Sequence, residues 1–406
     1  MSSSTNQASA PPGAGVGEGR LRSWLGDLAA IERPSASEGE REAAEWIVNR
    51  LAGLGAEARI ETERAHGTYW WPLGLGAATA AAAGLAGLRR RRSLAAGLGA
   101  AAAAALVDEF PPGKRRLRNR LPQSLTHNVI CELGPADAEH TVVVAAHHDA
   151  AHSGWIFNPA IPDAVFRRAK LPIALFDTSP ALMWPLLASP LLAIASALTG
   201  SRAAGATAAL LGAGYAASMA EIGARPVVPG ANDNATAVVL LLALAEQLLA
   251  ESTRSIRVIL LSTGAEESFS EGMKAFGERH FGELERERTF FLCVDTVGSP
   301  TLNVLRGEGF LRMHEYPAEA LSLLDGLAAE LGIELVPNLR LRNGTDGLEP
   351  LAAGYPTATL CSVTELKQPA NYHWPTDTPE NVDYGTLADA IRLVEAVVRR
   401  LDGRWL

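Results

Sequence analysis

The chain has 406 residues and a formal charge of −9, which argues against nucleic acid as its main partner, because a phosphate-binding surface needs a net basic face. With 48% hydrophobic and 20% charged residues, it can build a sizeable core in one large domain or two ordinary ones. The cysteines, Cys131, Cys293 and Cys361, are far apart and lack paired spacing, so they read as buried thiols and not as a disulfide framework.

Residues 1–33 read as a disordered tail, rich in Ser, Pro and Gly near the start and without the charged start and apolar run of a signal peptide. Structure is expected from Pro34, where Ser35 followed by Glu38 gives a capping-box pattern ahead of apolar residues at helical spacing. Gly53 and Gly55 end that helix, and the segment EARIETE follows as a short alternating strand.

The composition then changes. Tyr69 to Leu88 carries no charge, Arg89 to Arg92 form a tight basic turn, and Ser93 to Val107 is again uncharged. This pattern predicts a membrane hairpin over 69–107, with Trp70 and Trp71 at the lipid interface. A second hairpin is expected over 179–222, where Ala, Gly and Ser supply the close helix packing used in lipid and Arg202 lies at the turn. The lipid bilayer is therefore an expected partner, through a multi-pass anchor. Basic residues flank the other helix ends as well (Lys114, Arg115, Arg116, Arg118, Arg120, Arg225), and the positive-inside rule favours the polar portion facing the cytoplasm.

Without the hairpins, 34–68, 108–178 and 223–406 form one discontinuous domain of alternating strands and helices. Strands are expected at HNVICELG, TVVVAAH, SIRVILLST, TFFLCVDTVG and TATLCSV, with helices between and after them. That order predicts an α/β sheet of parallel character covered on both faces, with ligands beyond the carboxyl ends of its strands.

Metal-capable side chains occur at those places. His147, His148 and Asp149 end one strand; Asp233 lies in GANDN before a helix; Glu266 and Glu267 follow the VILLST strand; Asp295 ends FFLCV; His373 stands in NYHWPTDTPENVD. Imidazole and carboxylate suit zinc and similar divalent ions. Two histidines and three carboxylates exceed one tetrahedral site with an open position, and suit two metals sharing a carboxylate. Such a pair can hold a hydroxide, polarise a carbonyl and receive an amine. A glutamate off the metals can shuttle the proton.

The ordered motifs AAHHDA, GANDNATAV, GAEES, VDTVG and YHWPTDTPENVD resemble the co-catalytic zinc exopeptidases of peptidase family twenty-eight. The resemblance covers about 35–65, 125–150 and 228–401. It implies a three-layer α/β/α fold with a mostly parallel mixed sheet, interrupted here by the two hairpins, and a peptide substrate hydrolysed with two Zn2+ or other divalent ions. It further implies that His147 and Asp295 bind one metal, Glu267 and His373 the other, and that Asp233 bridges them. Glu266 would be the general base and Asp149 would orient His147. His148 would line the pocket, and His152 would be a loop residue or a substrate contact. Within the family an aminopeptidase is expected; the alternatives are a single-zinc acyltransferase of the glutaminyl cyclase type and an inactive receptor-like relative. One departure is NGTDGLEP, where Gly347 stands in place of a family histidine beside Asp346.

Overall fold

The computed structural model describes residues 16–162, 164, 177–179 and 183–406; residues 1–15 of the expected tail, part of 108–178 and the opening of the second hairpin lie outside them. The chain does not begin its structure at Pro34. Helix α1, Glu18–Ala29, occupies the end of the stretch assigned to the tail and buries Leu21, Trp24, Leu25 and Leu28. Those residues recur at helical spacing, so burial of one apolar stripe stabilises the helix despite its polar, glycine-bearing neighbours.

Helix α2, Glu38–Leu54, is capped by Ser37, which accepts from the backbone N–H of Glu40, two residues later than the expected pair. Gly55 ends it at φ 97°, a conformation that favours glycine. The remaining strands are β1 (Ala58–Ala65), β2 (Ser124–Leu133), β3 (His140–His147), β4 (Ile256–Thr263), β5 (Thr289–Asp295), β6 (Thr301–Val304), β7 (Gly307–Glu308), β8 (His314–Glu315), β9 (Arg340–Leu341) and β10 (Thr357–Val363). Seven of these form one sheet in the order β1-β2-β4-β3-β5-β10-β6, while β8-β7-β9 make a small separate sheet. The central run β4-β3-β5-β10 is parallel, and the pairs outside it are antiparallel. Parallel character is thus confined to the middle of the sheet, where apolar strands are covered on both faces.

The principal core lies on one face, where α1, α2 and the helices Thr236–Ala250 and Tyr384–Gly403 pack on Val142, Val144, Val258 and Leu292. On the other face, Met273 and Phe276 of the helix Glu271–His280 cover Val143, Leu261 and Phe291. The result is a three-layer α/β/α domain.

Two helical hairpins leave this domain. Helices α3 (Trp70–Leu88) and α4 (Arg92–Glu109) are inserted between β1 and β2; α5 (Trp184–Thr199) and α6 (Arg202–Ala224) lie between β3 and the Asp233 turn. The two hairpins dock through backbone contact: a Cβ on Gly84 would stand 2.4 Å from Ala209 N, and one on Gly212 2.6 Å from Ala81 N. Within the second hairpin, Ser189 Oγ donates to the Ala208 carbonyl at 2.9 Å. Outward-facing Leu191, Leu198 and Leu210 remain 60–75% exposed. Three described helices are long and apolar enough to cross a membrane, namely α3, α6 and the stretch Ala231–Ala250. The last is a core helix of the α/β domain, and α5, with 16 residues, is shorter than the others.

Candidate metal centre

The sheet register brings the chemistry together. His147 of β3 pairs with Thr263 of β4, so the Glu266-Glu267 loop starts beside the imidazole. Cys361 of β10 pairs with Asp295 at the end of β5. Asp233 sits in the turn Ala231–Ala235 before the core helix. The two asparagines around it are clamps: Asn232 Oδ1 accepts from Gly298 N at 2.7 Å, and Asn234 Oδ1 accepts from Thr296 N at 2.9 Å. The Asp233 turn and the Asp295 loop are thereby tied together. His373 adopts φ 48°, a strained value for a non-glycine residue that its surroundings must hold.

Each oxygen of Asp233 faces a different histidine. Oδ1 lies 3.3 Å from His147 Nε2 and Oδ2 lies 3.3 Å from His373 Nε2. His373 Nε2 is also 3.0 Å from Glu267 Oε2, while His147 Nε2 is 3.9 Å from both Asp295 Oδ1 and Glu266 Oε2. The groups His147–Asp233–Asp295 and Asp233–Glu267–His373 each offer ligand atoms within 4.8 Å of one another and share Asp233; His147–Glu266–Glu267 forms a third such group. Asp149, fully buried, accepts from Glu266 N at 3.0 Å, Glu267 N at 3.1 Å and Ser35 Oγ at 2.5 Å, with its Oδ1 3.3 Å from His147 Nδ1. It therefore touches the imidazole and the backbone of the paired glutamates together.

No role for three supporting residues was legible in the sequence. Arg33, in the stretch assigned to the tail, is fully buried and donates to the carbonyls of His148, Pro229 and Gly230 at 2.6–2.7 Å, joining the end of β3 to the Asp233 turn. Glu40 accepts from Ala36 N, Ala265 N, Thr126 Oγ1 and His127 N, which fixes the loop ahead of Glu266. Asp377 accepts from the N–H groups of Asn232 and Asp233 at 2.8 and 3.1 Å. The DTPEN run gave Asp377 a place in a motif but no partner.

His148 departs from expectation. It does not line the pocket: strand alternation turns it into the interior, where its Nδ1 meets Ser262 Oγ at 3.0 Å, and burial pushes its pKa down to about 3. His152 binds the Arg225 carbonyl at 2.7 Å and stands edge-on to Trp70, so it serves the base of the hairpins.

Burial, and then the crowding of acids, raises the carboxyls of Glu266, Glu267 and Asp295, with Glu267 reaching about 7. Burial opposes the charged imidazole of His373, but Glu267 and Asp233 more than offset it and lift its pKa to about 10. Glu267 Oε1 and His373 Nδ1 are buried with no hydrogen-bond partner. A crowd of buried acids around two imidazoles, with an unsatisfied carboxylate oxygen, is a donor set for divalent cations; their charge would relieve the repulsion. Beside it lies a cavity of about 120 Å³ walled by Phe269, Leu305, Leu339, Leu341 and Val363, with Tyr69 and Met183 from the hairpin bases.

A mixed sheet between two helical layers, with a His/Asp/Glu cluster beyond its parallel strand ends, is the architecture of zinc exopeptidases. Residues 213–398 match the family model described as Peptidase family M28. Among solved structures it is similar to the aminopeptidase from Aneurinibacillus sp. strain AM-1, at 13% identity and TM-score 0.55, over 94% of this chain and 93% of that one. It is similar to BSAP, a zinc aminopeptidase from Bacillus subtilis, at 15% identity and TM-score 0.55, over 94% of each chain. Tannerella forsythia glutaminyl cyclase follows at 14% identity and TM-score 0.54, over 93% of this chain and 96% of that one. No curated protein matches the sequence.

Proposed function

We propose that this protein is a membrane-anchored, zinc-dependent exopeptidase that removes N-terminal residues from peptides. The observation that carries the reading is Asp233, whose two oxygens each stand 3.3 Å from a different histidine, the geometry of a carboxylate shared by two ions. His147 and Asp295 would hold one zinc, Glu267 and His373 the other, and Asp233 both. Bound there, the ions supply Lewis acidity toward the peptide carbonyl and toward water.

The protein's own residues do the rest. Glu266 lies 3.9 Å from His147 Nε2, at the edge of the cluster. Its raised pKa suits a base that takes a proton from water and returns it to the leaving amine. Asp149 fixes the direction of His147 and the position of the Glu266 backbone. The apolar cavity receives the side chain and keeps bulk water from the reacting carbonyl. The hairpins hold the domain at the bilayer with its polar part toward the cytoplasm, where the basic residues Lys114, Arg116 and Arg120 flank α4.

The test is metal analysis of the purified protein together with hydrolysis of free and N-acetylated aminoacyl substrates. Two zinc ions per chain and cleavage of the free-amine substrates only are expected. One ion per chain with cyclisation of N-terminal glutamine would replace this reading with the glutaminyl cyclase one, which the similarity to the cyclase fold keeps in view.

A further inference from the structure

The cavity beside the metal centre has acids at one part of its wall and also includes Arg342. The neighbouring arginines are committed: Arg340 pairs with Glu315 at 2.9 Å and Arg306 with Asp325 at 2.8 Å. Among the described residues, no carboxylate pairs with Arg342. Its guanidinium carbon instead lies 5.0 Å from the ring centroid of Trp184, the first residue of α5 in the second hairpin. A guanidinium laid on an aromatic face keeps its N–H edges for a planar oxyanion.

The backbone under Arg342 is fixed. Its N–H donates to Ser179 Oγ at 2.9 Å, and the segment before it is bonded both ways to 177–179, Arg340 N to the Asp177 carbonyl at 2.7 Å and Ser179 N to the Arg340 carbonyl at 2.9 Å. The next residue connects to the metal centre: Asn343 Nδ2 donates to Tyr372 OH at 3.2 Å, and the Tyr372 ring stacks on His373 with centroids 3.8 Å apart. A cation without an acidic partner is thus held on a rigid path from the imidazole of His373, in a cavity that otherwise offers mostly apolar surface.

We infer that Arg342, positioned by Trp184, binds a carboxylate of the substrate, so that the enzyme acts on short peptides carrying a negative charge next to the residue released. This rests on the exopeptidase reading above. The carboxylate can be the C-terminus of a dipeptide or an acidic side chain. The hairpin then has a second role, since it supplies the ring on which the specificity residue lies.

The experiment compares kcat/KM of the zinc-loaded, detergent-solubilised protein on Leu-Leu against Leu-Leu amide, and on Leu-Glu amide against Leu-Gln amide. Because each ratio is taken on one preparation, partial misfolding of a variant cancels. The wild type should prefer the charged member of one pair by about tenfold to a hundredfold, the reach of a bidentate charge-assisted contact. The first pair points to a C-terminal carboxylate, the second to a side chain. In Arg342→Gln that ratio should fall to about one, with Arg342→Lys between the two because it keeps charge without the planar fork. Trp184→Ala should raise KM for the charged member more than for the neutral one, while Trp184→Phe should restore it. Ratios near one in the wild type, or a preference that Arg342→Gln retains, would overturn the assignment. Hydrolysis of none of the four would overturn the exopeptidase reading itself.

Discussion

Replacing Asp149 by Asn tests how the centre is held. The native carboxylate accepts from Ser35 Oγ at 2.5 Å, Glu266 N at 3.0 Å and Glu267 N at 3.1 Å, and lies 3.3 Å from His147 Nδ1. An Asn of the same shape turns one oxygen into an NH2 donor. Whichever oxygen it replaces, that donor meets a backbone N–H of the glutamate pair, and the contacts that remain lose their charge. Hydrogen bonds to charged groups are worth roughly 1.5–3 kcal/mol each, so loss of one and weakening of two should cost about 3–5 kcal/mol. The Glu266 backbone should shift with it, and a small misplacement of a reacting group costs on the order of 10²-fold in rate. Urea unfolding in detergent, read beside turnover of an aminoacyl anilide on the same preparation, measures both effects. Asp149→Asn with stability within about 1 kcal/mol of wild type and turnover within about twofold would refute the reasoning.

Glu266→Gln should lower turnover by at least about 10²-fold while keeping full zinc content, whereas Glu267→Gln should lose zinc as well; atomic absorption and initial rates separate them. Asp233→Ala should weaken zinc binding at both positions and His147→Ala mainly at one, so zinc titration of Asp233→Ala with two undiminished sites would reject the shared carboxylate. For Glu271, burial raises the carboxyl, but His66, Arg118, Ser268 and Gly67 more than offset it and hold the pKa at about 2 against an ordinary 4.5. A depressed folded-state value gives stability that is complete above about 4.5 and lost as pH falls toward 2, roughly 3 kcal/mol, and Glu271→Gln should flatten that acid limb of the unfolding curve. Carbonate washing should leave the protein in the membrane pellet until detergent is added, because outward Leu191, Leu198 and Leu210 have no cover among the described residues; release by carbonate alone would remove the anchor.

The alternation of strands and helices was legible because parallel strands are apolar throughout and end in the residues that the crevice uses. His147, Asp233, Glu266, Glu267, Asp295 and His373 could be singled out for that reason, and the structure brings them into one cluster. Arg33, Glu40 and Asp377 could not, because a buried charge looks in sequence like a surface one until its partners from distant segments are known. Helix α1 was hidden by the polar, glycine-bearing residues around its four apolar positions. The strands β7, β8 and β9, two residues each, are too short for any periodicity. A mixed sheet was expected from the resemblance, but which strands run antiparallel was not legible, because an alternating pattern does not record the direction of its neighbour.

The second hairpin separates His147 from Asp233 in the chain although the two side chains stand 3.3 Å apart, and His373 arrives only near the C-terminus. A ribosome delivers β3 first, then the apolar helices, and only later the residues that complete the cluster. No chain shorter than 373 residues holds the full set of acids and imidazoles. The cluster is therefore completed only after both hairpins have been synthesised.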